Sequence, residues 1–211
     1  MNWDPDSYDR NSRFVSELGM PVVGLLQPAP GERILDLGCG DGALTIKLMN
    51  IGCRVTGIDA SKEMVAAAVQ RGVDAQVEDG HNLPFDREFD AVFSNAELHW
   101  MLQPDRVVAG VWRSLETPER YVGEMGGQGN VDKLNKALLQ AMASRGVAPN
   151  AVDPWYFPST EEYGGKLAVA PEEHSGLVAE VENQVRPFLC DKHGTWRADY
   201  VRLRFSASKT A

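Results

Sequence analysis

The sequence predicts an α/β protein built on a doubly wound, mostly parallel sheet with helices on both faces. Three observations carry that expectation. Short β-branched runs alternate with segments of helical periodicity along the first 125 residues, which is the pattern of a parallel sheet with crossover helices. The runs end in polar residues, at the strand edge where such sheets bind their ligands. A glycine-rich turn, "LDLGCGDG", directly follows the first run.

Each element is justified in turn. Apolar residues from Tyr8 to Leu26 recur at roughly helical spacing, broken at Gly19 and Pro21, and predict one or two short helices. "PAPGE" is a turn, and Arg33 to Leu37 is strand one. The helix after the glycine turn is expected to pack through Ala43, Leu44, Ile46, Leu48 and Met49. "CRVTGIDA" is a second strand ending at Asp59, and Ser61 is the expected N-cap of the helix "KEMVAAAVQRG". "VDAQVEDG" gives a third strand ending at Asp79, "FDAVFSNA" a fourth, "PDRVVAGVWRSL" a helix and "ERYVGEMGG" a fifth strand. Beyond Gly129 the pattern loosens. Val131 to Arg145 predicts an amphipathic helix, "DPWYFPS" an aromatic loop and Pro171 to Arg186 a helix. "DYVRLRFSASK" alternates as a closing strand, with Tyr200, Arg202, Arg204 and Ser206 on one face and Val201, Leu203, Phe205 and Ala207 on the other. The expected organisation is a helical cap over 1–30, a ligand-binding core over 31–129, a shortened helical lid over 130–190 and a closing strand over 191–211.

Composition narrows the function classes. A net charge of −9 and a pI near 4.9 disfavour a phosphate backbone as partner, and no Lys/Arg cluster offsets them. Three cysteines, Cys39, Cys53 and Cys190, have neither C-x-x-C nor metal-ligand spacing and read as free thiols. No basic leader precedes an apolar stretch, and no apolar run approaches the ~18 residues of a membrane span. These features predict a cytoplasmic protein that binds neither nucleic acid, membrane nor metal.

The glycine turn admits more than one ligand. Gly38, Gly40 and Ala43 fit G-x-G-x-x-A, and Asp59 lies at the spacing of a ribose-hydroxyl acceptor, so a dinucleotide satisfies the pattern. Charge separates the candidates. Asp36 and Asp41 flank the turn and would repel a pyrophosphate; two like charges ~5 Å apart cost about 3 kcal/mol at an effective dielectric near 20. S-adenosylmethionine has no phosphate and carries a sulfonium and an α-ammonium, so carboxylates favour it.

Together, "LDLGCGDG", "GIDAS", "EDGHNLPF" and "FDAVFSNAELHWM" resemble the class I S-adenosylmethionine-dependent methyltransferases, with their Rossmann-like sheet and antiparallel C-terminal strand. "YDRNSRFVSELG", "YVGEMGGQGN" and "PWYFPSTEEY" are similar to the trans-aconitate methyltransferase-like group of small-molecule enzymes. The resemblance implies that Asp36, Gly38, Cys39 and Gly40 form the turn against the methionine and ribose portions of the cofactor. It implies that Asp59 accepts from the ribose hydroxyls, Ala60 and Met64 flank the adenine, and Asp79 takes its amino group beside Gly80 and His81. Asn95 and Ala96 meet the methionine portion, and Tyr8 and Arg13 close over the cofactor carboxylate.

The expected activity is methyl transfer to a small molecule, at a carboxylate or hydroxyl oxygen. A carboxylate needs no base, whereas a hydroxyl does, and His99 is the candidate; its other reading is space-filling beside Trp100. Glu97 reads equally as a solvated residue and a site group, and Glu124 as a substrate contact or a salt-bridge partner. Trp100, Trp155 and Tyr156 are the remaining candidate substrate residues, with Trp155 to Phe157 a lid or a core plug. Cys39 reads as a small turn residue rather than a nucleophile. Between Tyr163 and the closing strand the chain is shorter than the resemblance leads one to expect, which predicts a sheet edge at "DYVRLRFSA" open to dimerisation, or a more open acceptor site. Two other functions stay in view: a methyltransferase-fold protein that binds the cofactor without turnover, and a nicotinamide-dependent oxidoreductase.

Overall fold

A computed structural model describes residues 19–132, 155–167 and 201–209. Tyr8, Arg13, most of the helix expected over 131–145 and the helix expected over 171–186 lie outside the described residues. The chain divides into two compact units, Met1–Glu124 with Arg204–Ala211, and Met125–Leu203.

The described elements of the first unit begin with α1 (Met20–Leu26), β1 (Arg33–Leu37), α2 (Ala43–Ile51), β2 (Arg54–Asp59), α3 (Lys62–Gln70) and β3 (Asp74–Val77). A 3₁₀ turn (Gly80–Asn82), β4 (Phe89–Asn95), a second 3₁₀ turn (Leu98–Trp100) and α4 (Pro104–Ser114) follow. β5 (Leu115–Gly126) and β6 (Arg202–Lys209) complete a six-stranded sheet in the order β3-β2-β1-β4-β5-β6. The pairs β1–β2, β1–β4, β2–β3 and β4–β5 are parallel, and the C-terminal strand runs antiparallel. Strand order reverses between β1 and β4, so their carboxyl ends diverge into the crevice where ligands settle in doubly wound sheets.

β1 is central, and its last four residues are buried, as a strand covered on both faces requires. Val22, Val23 and Leu26 of α1 and Leu44 and Leu48 of α2 share one core cluster with Ile34, Val55, Ala91, Phe93 and Val122. Tyr121, next to Val122 on β5, instead meets Trp112 of α4 and Phe205 of β6 edge-on, at 6.4 and 4.8 Å between ring centroids. Neighbouring residues of one strand thus face opposite helical layers. The Arg120 guanidinium donates to Leu26 O and to the Glu32 carboxylate, fastening the end of α1 and the entry to β1 onto β5.

Two expectations about packing are corrected. Met49 was expected in the α2 contact face but is solvent-exposed, while Thr45 is fully buried. Thr45 turns inward because its hydroxyl donates to Asp36 Oδ2 at 2.6 Å, a polar partner that apolar periodicity does not register. The closing strand alternates as expected at Leu203, Phe205 and Ala207, yet Arg204, on the polar face, is also buried. It is held by a buried ion pair with Glu124 of β5. The Lys209 ammonium donates to Trp112 O and Leu115 O, placing a positive charge on the carbonyls that end α4. Among the described residues β6 is the outermost strand on its side of the sheet.

In the second unit, Gly127 N donates to Val201 O and Val201 N donates to Asn130 Oδ1, closing a loop after β5. Trp155 and Phe157 stack with centroids 5.7 Å apart, and Tyr156 OH donates to Glu162 of α5 (Thr160–Leu167). Ser159 starts that helix, its hydroxyl accepting from Glu162 N.

Candidate active site

The site grows from the end of β1. Gly38 N and Cys39 N both donate to Ile58 O, so the backbone leaves the strand sharply and stays fastened to β2. Gly38 has φ +80° and Gly40 φ +54°, in the left-handed region where a β-carbon is unfavourable. A β-carbon on Gly40 would meet nothing within 4 Å, so the turn presents bare backbone to open space. A β-carbon on Gly38 would collide with Cβ and Cγ of Glu97, which lies directly over the turn. Gly38→Ala is therefore expected to cost about 2–4 kcal/mol from backbone strain plus overpacking. Urea unfolding of Gly38→Ala with and without Glu97→Gly, which removes both Cβ and Cγ, checks it: the coupling between the two changes should equal the overpacking part only.

Asp59, at the end of β2, is 9% exposed. Its Oδ2 accepts from Gly40 N at 3.0 Å and its Oδ1 from Ser61 N at 2.8 Å, which leaves each oxygen a lone pair. Ser61 caps α3 as expected, accepting from Met64 N. Ala60 is exposed beside the carboxylate and Met64 is buried below it. Asp79 caps the first 3₁₀ turn, its Oδ1 taking both His81 N and His81 Nδ1. The His81 N–H and the ring hold the Asp79 carboxyl below its usual range. His81 Nε2 is buried with no hydrogen-bond partner. In the neutral imidazole tautomer whose Nδ1 donates to Asp79, Nε2 is an acceptor. A β-carbon on Gly80 would press on the ends of the Met101 and Leu37 side chains, which would have to shift.

At the end of β4, Asn95 Oδ1 is likewise buried and unpartnered. Ala96 sits at φ +60°, a strained conformation for a non-glycine residue, with its N–H bonded to Glu124 O. His99 is buried on the second 3₁₀ turn, its ring 5.3 Å from that of half-buried Trp100, and removal from water lowers its pKa to about 4. It is neutral at pH 7. Cys39 is buried against Gly57, and burial pushes its thiol far up, which suits a packing residue and not a nucleophile.

The charge pattern differs from the expected one in a specific way. Asp41 does not present free charge to the turn: its Oδ1 accepts from Ala43 N at the start of α2, and its Oδ2 pairs with Arg71 at 2.9 Å. The acidic groups left at the turn are Asp36, Asp59 and Glu97, each with its carboxyl raised by burial. Burial raises Asp36 to about 7 despite the Thr45 hydrogen bond, and raises Glu97 to about 8 with Asp59 adding to it. Glu97 was expected to divide evenly between surface and site, and the structure puts it on the turn. Its signal, two residues past the end of β4, carried no contact information.

Glu124 is 1% exposed and spent on Arg204, so of its two readings the structure shows the ion pair. Trp155 and Tyr156 belong to the second unit, where their partners are Phe157 and Glu162.

Raised pKa values fix the sign of a pH effect. Folded Asp36 and Glu97 bind protons more tightly than the unfolded chain, whose carboxyls titrate near 4. Their contribution is complete below about pH 4 and is lost as pH rises through 7 and 8. The melting temperature of the ligand-free protein should fall between pH 5.5 and 8.5, and Glu97→Gln should flatten the curve. A wild-type Tm constant over that range would contradict it.

These residues fit S-adenosylmethionine on their own chemistry. The turn offers backbone without side chains, Asp59 offers two acceptors, His81 Nε2 and Asn95 Oδ1 are buried without hydrogen-bond partners among the described residues, and the neighbouring side chains Asp36 and Glu97 are acidic.

Residues 35–118 match the family model of a methyltransferase domain. An uncharacterized methyltransferase of Schizosaccharomyces pombe is 38% identical over 90% of this chain and 76% of its own length. A trans-aconitate 2-methyltransferase of Mycobacterium tuberculosis is 32% identical over 68% of this chain, which spans 55% of that enzyme. Among solved structures, a geranyl diphosphate methyltransferase in complex with S-adenosylmethionine superposes with a TM-score of 0.57 at 24% identity, covering 74% of this chain and 64% of the other.

Proposed function

This chain belongs to the class I S-adenosylmethionine-dependent methyltransferases, and from that premise we propose that it methylates an oxygen of a small carboxylic or hydroxylic acid. The observation that carries the cofactor part of this reading is Asp59. It holds the glycine turn through Gly40 N while keeping lone pairs for a diol, at the end of β2 where the strand order gives access. The similarity to trans-aconitate 2-methyltransferases supports a carboxylic acceptor.

When bound, the cofactor supplies an electrophilic methyl group on a sulfonium. The chain's part is to bind, orient and exclude water, because an in-line displacement gains most from positioning. Gly38 and Gly40 let the backbone approach closely. Asp59, His81 Nε2 and the free oxygen of Asp79 are the acceptors proposed for the ribose hydroxyls and the adenine edge. Asn95 and Ala96 are proposed for the methionine portion, with Ala60 and Met64 beside the base. Tyr8 and Arg13 are proposed to close over the cofactor carboxylate, and Trp100, Trp155 and Tyr156 to border the acceptor.

His99 separates the two acceptor chemistries. A carboxylate is already ionised at pH 7, and neutral His99 accepts a proton only from a hydroxyl. With a carboxylic acceptor and saturating cofactor, turnover should be flat from pH 6 to 8 and His99→Gln should retain it. With a hydroxyl acceptor the same variant should lose about 100-fold. The test is release of S-adenosylhomocysteine with a panel of small carboxylic and hydroxy acids. Cofactor binding without turnover on any of them would favour a protein that has kept the fold and lost the reaction.

A further inference from the structure

We propose that Glu97 is the counter-charge for the cationic methionine portion of the cofactor, and that its carboxylate makes binding charge-selective. This rests on the cofactor reading above and names a residue which that reading leaves out.

The placement is specific. Glu97 lies against Gly38 so closely that the glycine cannot carry a β-carbon, so the side chain covers the first glycine of the turn. The strained left-handed backbone at Ala96 redirects the chain after β4 and brings the next residue over the turn. Residue 97 is then locked, because its carbonyl accepts from Trp100 N and opens the 3₁₀ turn. Strain of this kind is retained where an exact side-chain position is needed.

Among the described residues, no cationic side chain or hydrogen-bond donor engages the carboxyl placed there, while the buried acids near the turn are satisfied: Asp36 by Thr45, Asp41 by Arg71, and Asp59 by Gly40 N and Ser61 N. The titratable groups facing it are Asp59 from β2 and Cys39 from the turn, and His99 follows on its own segment; none supplies a positive charge at pH 7. A half-buried carboxyl drawn partly out of water gains when something cationic completes it. The adjacent Asn95 Oδ1, also buried and unpartnered, is a second acceptor at the same strand end. Two acceptors without donors at the edge of the glycine turn describe the complement of an ammonium or sulfonium group.

A proton-linked consequence follows. Glu97 is mostly protonated in the ligand-free protein at pH 7 and must ionise to serve a cation. Binding should therefore release a proton.

The experiment is calorimetric titration of the full chain with S-adenosylmethionine and with S-adenosylhomocysteine, each in phosphate and in Tris at pH 7.0. The dependence of enthalpy on buffer gives the protons released. Wild type should release about one proton with S-adenosylmethionine. Glu97→Gln should release markedly fewer and bind about tenfold more weakly, the loss expected for a charge-assisted contact. Its Tm at pH 8 should equal or exceed that of wild type, which excludes misfolding as the cause. An equal loss for S-adenosylhomocysteine assigns the α-ammonium as the partner, and a loss confined to S-adenosylmethionine assigns the sulfonium; either supports the proposal. Proton release that persists in Glu97→Gln, with both affinities within twofold of wild type, would overturn it. If wild type binds neither compound, the cofactor reading itself fails and takes this one with it.

Discussion

Asp59→Ala should lower affinity for S-adenosylhomocysteine by at least about 100-fold, the largest effect expected of any single change in the site. Three losses combine. The ribose loses a charged acceptor, worth about 1.5–3 kcal/mol for a charge-assisted bond. Gly40 N and Ser61 N lose the carboxylate that they share, so the turn and the start of α3 are no longer fastened to each other. A smaller side chain also leaves the buried end of β2 open to water. Asp59→Asn separates these effects, since it keeps the shape and one acceptor oxygen, and should recover part of the affinity. Titration calorimetry on the two variants reads the difference. An Asp59→Ala protein that binds like wild type would remove the central residue from the proposed site.

The second large effect concerns stability. Arg204→Ala strands the Glu124 carboxylate in a position with 1% exposure, and breaking one side of a buried pair typically costs about 3–5 kcal/mol. For a chain of 211 residues that corresponds to a fall in Tm of about 10 °C. The double replacement Glu124→Leu/Arg204→Leu removes both charges and should be far less damaging than Arg204→Ala alone. Chemical denaturation of the three proteins tests this. A single variant as stable as wild type would mean that water already reaches the pair.

Comparison of sequence with structure shows which kinds of information are local. β1 to β4 and their helices were legible because each is specified by its own residues: apolar runs, the Ser61 cap, and glycines wherever the chain reverses. The position of Asp59 at the end of β2 was legible because a β-branched run stops there. What could not be read was set by partners far away in the chain. Asp36 took Thr45 inward and so changed the packed face of α2. Asp41 found Arg71, thirty residues on, which left Glu97 rather than Asp41 as the acid without an ion-pair partner at the turn among the described residues. Glu97 reached Gly38 only because β1 pairs with β4. Arg204 looked like a solvent-facing residue of an alternating strand until β6 was laid beside β5 and Glu124. Periodicity locates elements, but it is silent about which polar residue is neutralised by which.

The ion pair between β5 and β6 also bears on how the protein is made. Glu124 and its partner are separated by 80 residues. At about 5–20 residues per second, the ribosome takes roughly 4–16 seconds to deliver Arg204 after Glu124 has been synthesised. Throughout that interval the nascent chain carries an unneutralised carboxylate destined for the core and an open edge on β5. An edge of that kind recruits stray strands, and the same carboxylate, disfavouring burial until its arginine arrives, delays the sealing of this side of the sheet. The pair therefore ties the closing of this side of the sheet to the delivery of the last residues of this chain.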